Sequence, residues 1–363
     1  MRLFQNSGLY PTYLARLDEL ARNAGAQNFS ERKNIFLRDR FGASHFLDPV
    51  LSGDPGTFFT NGDDEVLQRS WAREHGMPAS SLLNDILLAQ IESHRTEVFY
   101  NLDPMRYGSD FVRRLPGCVR RSIAWRAAPF GNADFSAYSL MVCNFPRILK
   151  SFEDRGWKAA RLFPAHDPQL DEFAANNQRP VDVMFAGGYT RHHSRRAALL
   201  EGLAAKAGRL EINLYLDASR ATRLAEAIPF RWLPLPRHQR PTSIKRIAQP
   251  PVMGVGLYDA MSRARIILNG AIDIAGEDRG NMRCFEAMGA RCLLISDEGN
   301  YPEGMTSGQT MLTYKTVEEA VGLIDEMARS PRDLRAIAQR GYDMVRTTYT
   351  KQAQWVTFQR LAG

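Results

Sequence analysis

The chain of 363 residues is long enough for two domains of ordinary size, and 44% hydrophobic with 24% charged residues is the composition of a globular protein that folds around its own cores. No apolar run approaches the roughly 20 residues that cross a bilayer, and Met1-Arg-Leu-Phe-Gln-Asn lacks the apolar stretch of a signal peptide, so a cytoplasmic location is expected. The formal net charge of +7 admits an anionic partner, but the basic residues fall in short clusters such as Arg113-Arg114, Arg120-Arg121 and Arg195-Arg196, without zinc-finger spacing or a basic zipper. Nucleic acid is therefore disfavoured, and a phosphorylated ligand or the anionic inner face of a membrane fits better. Cys118, Cys143, Cys284 and Cys292 show no close pairing and sit in or beside apolar stretches, which predicts reduced core thiols.

In chain order, Arg2-Leu-Phe-Gln opens a strand, Asn6 to Pro11 turns, and a helix is predicted from Thr12 to Asn23, the first unit of a Rossmann-type domain. Helical periodicity runs over 31–51 and 65–93, with Gly53-Asp-Pro-Gly56 and Gly62-Asp-Asp64 as breaks. The acids Asp63, Asp64 and Glu65 stand at a helix start, where capping is a better explanation than a metal. Runs at 97–102, 122–125, 138–143 and 159–163, with a helix from about Pro146 to Arg155, predict a parallel sheet. The Pro-punctuated, polar stretch from Pro164 to Pro180 reads as a linker.

Val181 to Ala186 is predicted as a strand, Gly187-Gly188 as a turn, and 194–207 as an amphipathic helix. The turn carries Tyr189, Arg191, His192, His193, Arg195 and Arg196. Glycines that admit close backbone approach, followed by guanidinium groups at a helix start, suit a diphosphate. Arg191 is the first choice for that contact, with Arg195 or Arg196 as alternatives, and a solvated basic helix face is the competing explanation. His192 and His193 have no third metal ligand in sight. A strand at 210–216 precedes a proline-rich, irregular region at 229–251, and Gly254-Val-Gly lacks the preceding strand of a dinucleotide fingerprint.

The segment 265–296 organises the rest. Arg265-Ile-Ile-Leu-Asn269 and Arg291-Cys-Leu-Leu-Ile-Ser296 suit buried strands, and between them Asn281-Met-Arg-Cys-Phe-Glu-Ala-Met-Gly289 reads as a short helix with Asn281 as N-cap and Gly289 as its stop. Arg283 and Glu286 share one face of that helix, while Met282, Phe285 and Met288 spread over the packed side. A cation beside a helix N-terminus favours a phosphate, and a carboxylate one turn later can accept from two sugar hydroxyls.

The run from Asn281 to Ile295 resembles the donor-site signature of glycosyltransferases with the GT-B fold, and is most similar to the branch whose C-terminal domain resembles spore-coat maturation glycosyltransferases. The likeness spans about 181–349. It implies an α/β fold of two Rossmann-like domains facing a central cleft: 1–165 on the acceptor side, 166–348 for the nucleotide sugar, and 349–363 as a helix packing back through Trp355 and Phe358. In that pattern two acids are paired: the second, matching Glu286, binds the nucleotide ribose, and the first lies by the donor sugar. The first falls on Asp278, with Glu277 one place out of register. Substrate contacts are expected from Glu286, Arg283, Asn281, Gly187, Gly188, Tyr189, Arg191 and Gly8, and acceptor contacts near Asn101, Asp103 and Arg126. The resemblance implies transfer from a UDP- or GDP-linked sugar to a glycan, lipid-linked saccharide or protein, with no cofactor. The absence of Asp-x-Asp predicts that no divalent metal is needed, and Asp278 as first acid implies retention of configuration. A sugar-nucleotide epimerase and an inactive nucleotide- or glycan-binding module are the alternatives.

Overall fold

Short runs of mostly apolar residues, most of them followed by a polar loop and a helix, build two all-parallel sheets. The computed structural model describes residues 1–189, 194–218, 220–227, 239–270 and 276–363. The chain divides into a first unit of residues 1–164 with 351–363 and a second of residues 165–350.

The first unit contains β1 (Leu3–Asn6), β2 (Thr57–Thr60), β3 (Val98–Asn101), β4 (Arg121–Trp125), β5 (Leu140–Cys143) and β6 (Ala159–Arg161), in the order β2-β1-β3-β4-β5-β6. β2, Thr57-Phe-Phe-Thr60, lies between two predicted breaks and was not expected; the flanking turn residues mask it in the sequence, and pairing with β1 reveals it. The first predicted helix runs Pro11–Asn23, with Pro11 in its first turn. The final helix, Lys351–Ala362, belongs to this unit. Its Phe358 is fully buried among Leu3, Ile123, Val142 and Leu162, 4.8 Å from the Tyr100 ring. Trp355 lies alongside, partly buried and stacked on Phe358. The buried Lys351 donates to the Ala43 carbonyl and, at 2.8 Å, to that of Phe46.

The second unit contains β7 (Val181–Gly188), β8 (Ile212–Asp217), β9 (Ala248–Gln249), β10 (Ala264–Asn269), β11 (Leu293–Asp297) and β12 (Leu312–Tyr314), in the order β12-β11-β10-β7-β8-β9. Helices Ser194–Ala204 and Val317–Arg329 cover one face through Leu199, Leu203 and Ile324 on Val183, Leu214, Ile266 and Ile295. Helix Met282–Gly289 packs against Pro331–Thr348, β10 and β11. Two local expectations are corrected. Gly187 and Gly188 form no turn; they are the last residues of β7, paired with Leu216 and Asp217. The region 229–251, read as irregular, includes helix Thr242–Ile247 and β9, a strand too short for any pattern. Among the described residues no helix is long and apolar enough to cross a membrane.

Replacing Phe358 by Ala removes a fully buried ring from the core of the first unit and should lower its unfolding free energy by about 3–5 kcal/mol; denaturant unfolding measures it.

Candidate active site

In an open parallel sheet, ligands bind outside the carboxyl ends of the strands where the strand order reverses. In the second unit that point lies between β7 and β10. The chain there is Gly187 and Gly188 at the end of β7 with Tyr189 after them, Asn269 at the end of β10 with Gly270 after it, and Ser296 and Asp297 at the end of β11. Three hydrogen bonds among buried and half-buried polar groups tie this edge together. Asn269 Nδ2 donates to Ser296 Oγ at 3.0 Å, Tyr314 Oη donates to the Asn269 carbonyl at 3.0 Å, and Asn281 Nδ2 reaches Asn269 Oδ1 at 3.4 Å. Asn281 stands at the N-cap, but its side chain caps no backbone N–H. Its Oδ1 takes the Cys284 thiol at 3.4 Å instead. Burial pushes that thiol up to about 12, so it is no nucleophile.

Helix Met282–Gly289 thus begins beside the carboxyl ends of β10 and β11. One turn in, Arg283 Nη1 donates to Glu286 Oε2 at 2.6 Å; the Glu286 side chain is 4% exposed and that of Arg283 20%. Burial pushes the Glu286 carboxyl up, the Arg283 guanidinium pulls it down, and Asp167 raises it again. The i, i+3 spacing puts both groups on one face, and the tertiary structure joins them as a pair.

The two candidates for the first acid are placed very differently. Asp278 is buried and bridges to Asn300, whereas the neighbouring Glu277 side chain is exposed. The backbone of 277–279 pairs with Asn300 through Asn300 N to the Glu277 carbonyl at 2.8 Å and Arg279 N to the Asn300 carbonyl at 2.9 Å. A side chain at Gly299 is excluded, because a Cβ there would stand 2.4 Å from the Glu277 carbonyl oxygen. Arg279, which the sequence did not single out, forms a largely buried pair with Asp297 at 2.5 Å. It donates as well to the Gly276 carbonyl.

Beside this edge lies a cavity of about 390 Å³ lined by Arg195, Arg196, Gly270, Asp297, Tyr314 and Lys315 among others. Arg196 donates to the Gly270 carbonyl and lies over the Phe185 ring, which anchors the helix start to β10. Arg195 is exposed and reaches the Lys315 carbonyl at 3.4 Å. Arg191, with His192 and His193, lies outside the described residues. Tyr189 corrects an expectation: its ring is in the core and its hydroxyl donates to Glu201 at 2.6 Å, because the residue after β7 turns inward beneath helix Ser194–Ala204. Gly187 lies 3.1 Å, measured from an added Cβ, from the Phe185 ring, while one at Gly188 would meet nothing.

In the first unit the strand order reverses between β1 and β3. Gly8 lies there, and a Cβ on it would approach Asp103 Oδ2 to 2.9 Å, so the close approach it permits is to Asp103. Asn101 is scaffolding, since it accepts from Asn6 at 2.9 Å and donates to Tyr138 Oη at 2.6 Å. Arg126 donates to the carbonyls of Ala128 and Pro129. The acidic cluster divides. Asp64 caps its helix at Leu67 N and holds the buried Arg32 at 2.6 Å. Asp63 turns the other way and accepts from Leu9 N at 2.8 Å. Burial pushes the Asp63 carboxyl up to about 6; the Leu9 hydrogen bond opposes this, the Asp103 charge adds to it, and Arg106 lowers it. Capping explained the cluster in sequence, and the one signal that Asp63 differs is a second acid beside a helix that needs one cap. Among the described residues no group of three or more His, Cys, Asp or Glu could hold a metal ion.

Comparison with known proteins bears on this edge. Residues 195–360 match the model of a glycosyl transferase-like family. That match spans less than half of the chain. No curated protein matches the sequence. Among solved structures, HepE of Anabaena in complex with UDP-glucose is similar with a TM-score of 0.59 at 12% identity, covering 99% of this chain and 98% of that one. A glycosyltransferase of Rickettsia africae gives 0.53 at 11% identity over 99% and 97%. Sucrose-phosphate synthase of Thermosynechococcus elongatus gives 0.54 at 10% identity over 85% and 83%. At these identities the likeness establishes the fold, which is α/β and that of the GT-B glycosyltransferases.

Two measurements check the geometry. Gly299→Ala should force the 277–279 segment away from Asn300 and lower stability by about 1–3 kcal/mol, read as a drop in melting temperature. Asp63, whose folded pKa is raised, binds more protons folded than unfolded, so its contribution is full below about pH 4 and is lost as pH rises through about 6. Asp63→Asn should therefore make the decline of melting temperature between those pH values shallower than in the parent.

Proposed function

We propose that this chain is a glycosyltransferase that moves a sugar from a nucleotide diphosphate sugar, UDP- or GDP-linked, to an acceptor. The observation that carries the proposal is the Arg283–Glu286 pair on a helix starting at the carboxyl edge of a doubly wound sheet. With donor bound, Glu286 would accept from the ribose hydroxyls that now compete with Arg283, and Arg283 would turn its guanidinium to the phosphates. The family model over 195–360 supports this, as does the binding of UDP-glucose by HepE. The run from Asn281 to Ala287 supports placement near the spore-coat maturation type.

Departure of a nucleoside diphosphate leaves negative charge on the phosphates as positive charge develops on the anomeric carbon. Arg283, the free N–H groups at the helix start, and Arg195 and Arg196 beside the cavity supply fixed positive potential for that leaving group. Arg191 remains a candidate from its sequence position. Asp278 is the proposed acid beside the donor sugar and Glu277 the alternative, which implies retention, and the lack of Asp-x-Asp supports chemistry without a divalent metal. A second reading, inversion, rests on Asp63: a half-buried carboxyl with a pKa of about 6 is suited to take a proton from an acceptor hydroxyl. The acceptor is a glycan, a lipid-linked saccharide or a protein.

The test is a panel of nucleotides and nucleotide sugars scored by thermal shift and product formation. A specific donor at 100 times its Kd should add about 2.7 kcal/mol of stability. Arg283→Ala and Glu286→Ala should each reduce transfer by roughly a hundredfold or more without unfolding the protein, and a chelator should leave the rate unchanged. Product with the donor's anomeric configuration supports Asp278, and the opposite configuration, lost in Asp63→Asn, supports inversion. Failure of every nucleoside diphosphate to bind would overturn the proposal.

A further inference from the structure

We propose that the amino edge of the second sheet, opposite the candidate donor site, binds a phosphate ester that carries an apolar group. Because β7, β10 and β11 are parallel and in register, the residues that enter them come together, and three of these are arginines: Arg179, Arg265 and Arg291. Arg335, from helix Pro331–Thr348, joins them around a cavity of about 420 Å³. That volume is within the range of small-ligand sites. The six residues of β10 separate it from the carboxyl edge by roughly 20 Å.

The positive charge here is poorly balanced. Among the described residues, only Arg265 of the four forms an ion pair, with Asp182 at 3.1 Å. Arg179 directs its five N–H donors to neutral acceptors, the carbonyls of Ala264 at 2.8 Å, Ala290 at 2.9 Å, Asn176 at 3.1 Å and Ala174 at 3.4 Å and Cys292 Sγ at 3.1 Å, so it contributes fixed charge and the other guanidinium groups contribute the donors. Arg291 donates to the Asn177 side-chain oxygen at 2.9 Å. Four guanidinium groups thus face one carboxylate, and two of them are held in fixed orientation by backbone or amide acceptors. Guanidinium is the cation best matched to phosphate, through paired N–H donors on a rigid plane.

Arg291 supplies a separate argument. It follows the helix C-cap Ala290 with φ of 56°. Glycine usually ends a helix in that conformation, and a side chain there costs about 1 kcal/mol. Ending the helix does not require an arginine, and charge at the cavity does account for it. The remaining wall includes Met327, Leu334 and Ala338, which would lie against a non-polar part of the ligand. The ligand is therefore a phosphate ester with an apolar portion, either a soluble phosphorylated compound or an anionic lipid headgroup. This site is independent of the donor site and stands if the proposed reaction fails.

The experiment uses the full chain with three probes: inorganic phosphate, hexyl phosphate, and phosphatidylcholine vesicles with and without phosphatidylglycerol. Calorimetry should show hexyl phosphate binding more tightly than inorganic phosphate. Arg335→Gln, at an exposed position, should weaken hexyl phosphate by roughly tenfold. Arg291→Gly should do the same while raising the melting temperature of the unliganded protein, so that loss of binding is separated from loss of fold. Arg283→Ala, at the donor site, should leave hexyl phosphate unaffected. Co-sedimentation with phosphatidylglycerol vesicles that both cavity variants abolish identifies the lipid as source, and binding of hexyl phosphate without vesicle association identifies a soluble compound. No hexyl phosphate binding at millimolar concentration, or binding unchanged in both cavity variants, would overturn the proposal and leave a solvated basic surface.

Discussion

A parallel strand covered on both faces can present polar groups only at its two ends, because its sides are packed against helices and its backbone is used in the ladder. The interiors of β10 and β11 obey that constraint. In the second unit, β10 is buried along nearly its whole length, and its polar residues stand near its two ends, Arg265 at the start and Asn269 last. The same holds for β11, which closes on Ser296 and Asp297. The helices that follow start at this edge, so free N–H groups and polar strand ends arrive together without any further instruction. The amino edge collects the residues entering the strands, and in this chain those are arginines.

The edge is then held by ion pairs whose value is positional. Arg283–Glu286 and Arg279–Asp297 both place a largely buried carboxylate against a guanidinium. Pairs of this kind gain little net stability over apolar side chains of the same size, since desolvation offsets most of the attraction. What they fix is geometry. Arg279 holds the 277–279 segment to the end of β11, and the backbone bonds to Asn300 fasten it from the other side. In the first unit the corresponding edge is organised by neutral amides, Asn6 and Asn101, with Asp63 and Asp103 left half-buried beside them.

The strands and helices that the sequence revealed most clearly were those with enough residues to show a period or a firm boundary. Helices Pro11–Asn23 and Ser194–Ala204 and strands β7, β10 and β11 belong to that group. β2 escaped because the Gly- and Asp-rich breaks on either side made 53–64 read as loop, and β9 because two residues carry no pattern of their own. Gly187 and Gly188 misled in a different way. Glycine permits a turn but does not compel one, and the ladder to β8 extended the strand through them. Tyr189 was placed by its neighbours in sequence, yet a buried position under the following helix and the Glu201 carboxylate claimed its side chain.

By itself the sequence determined the α/β class, the alternation of strand and helix, and the shared helical face of Arg283 and Glu286, because all three follow from local periodicity. Only the tertiary structure decided that those two side chains pair with one another and that Asp278 is buried while Glu277 is exposed. It also decided that Asp63 and Asp64 turn opposite ways and that Arg179, Arg265, Arg291 and Arg335 meet. The reason is physical: these relations join residues far apart in the chain or depend on which side chain loses its water, and neither distance in space nor desolvation is written in the spacing of residues along a strand or helix.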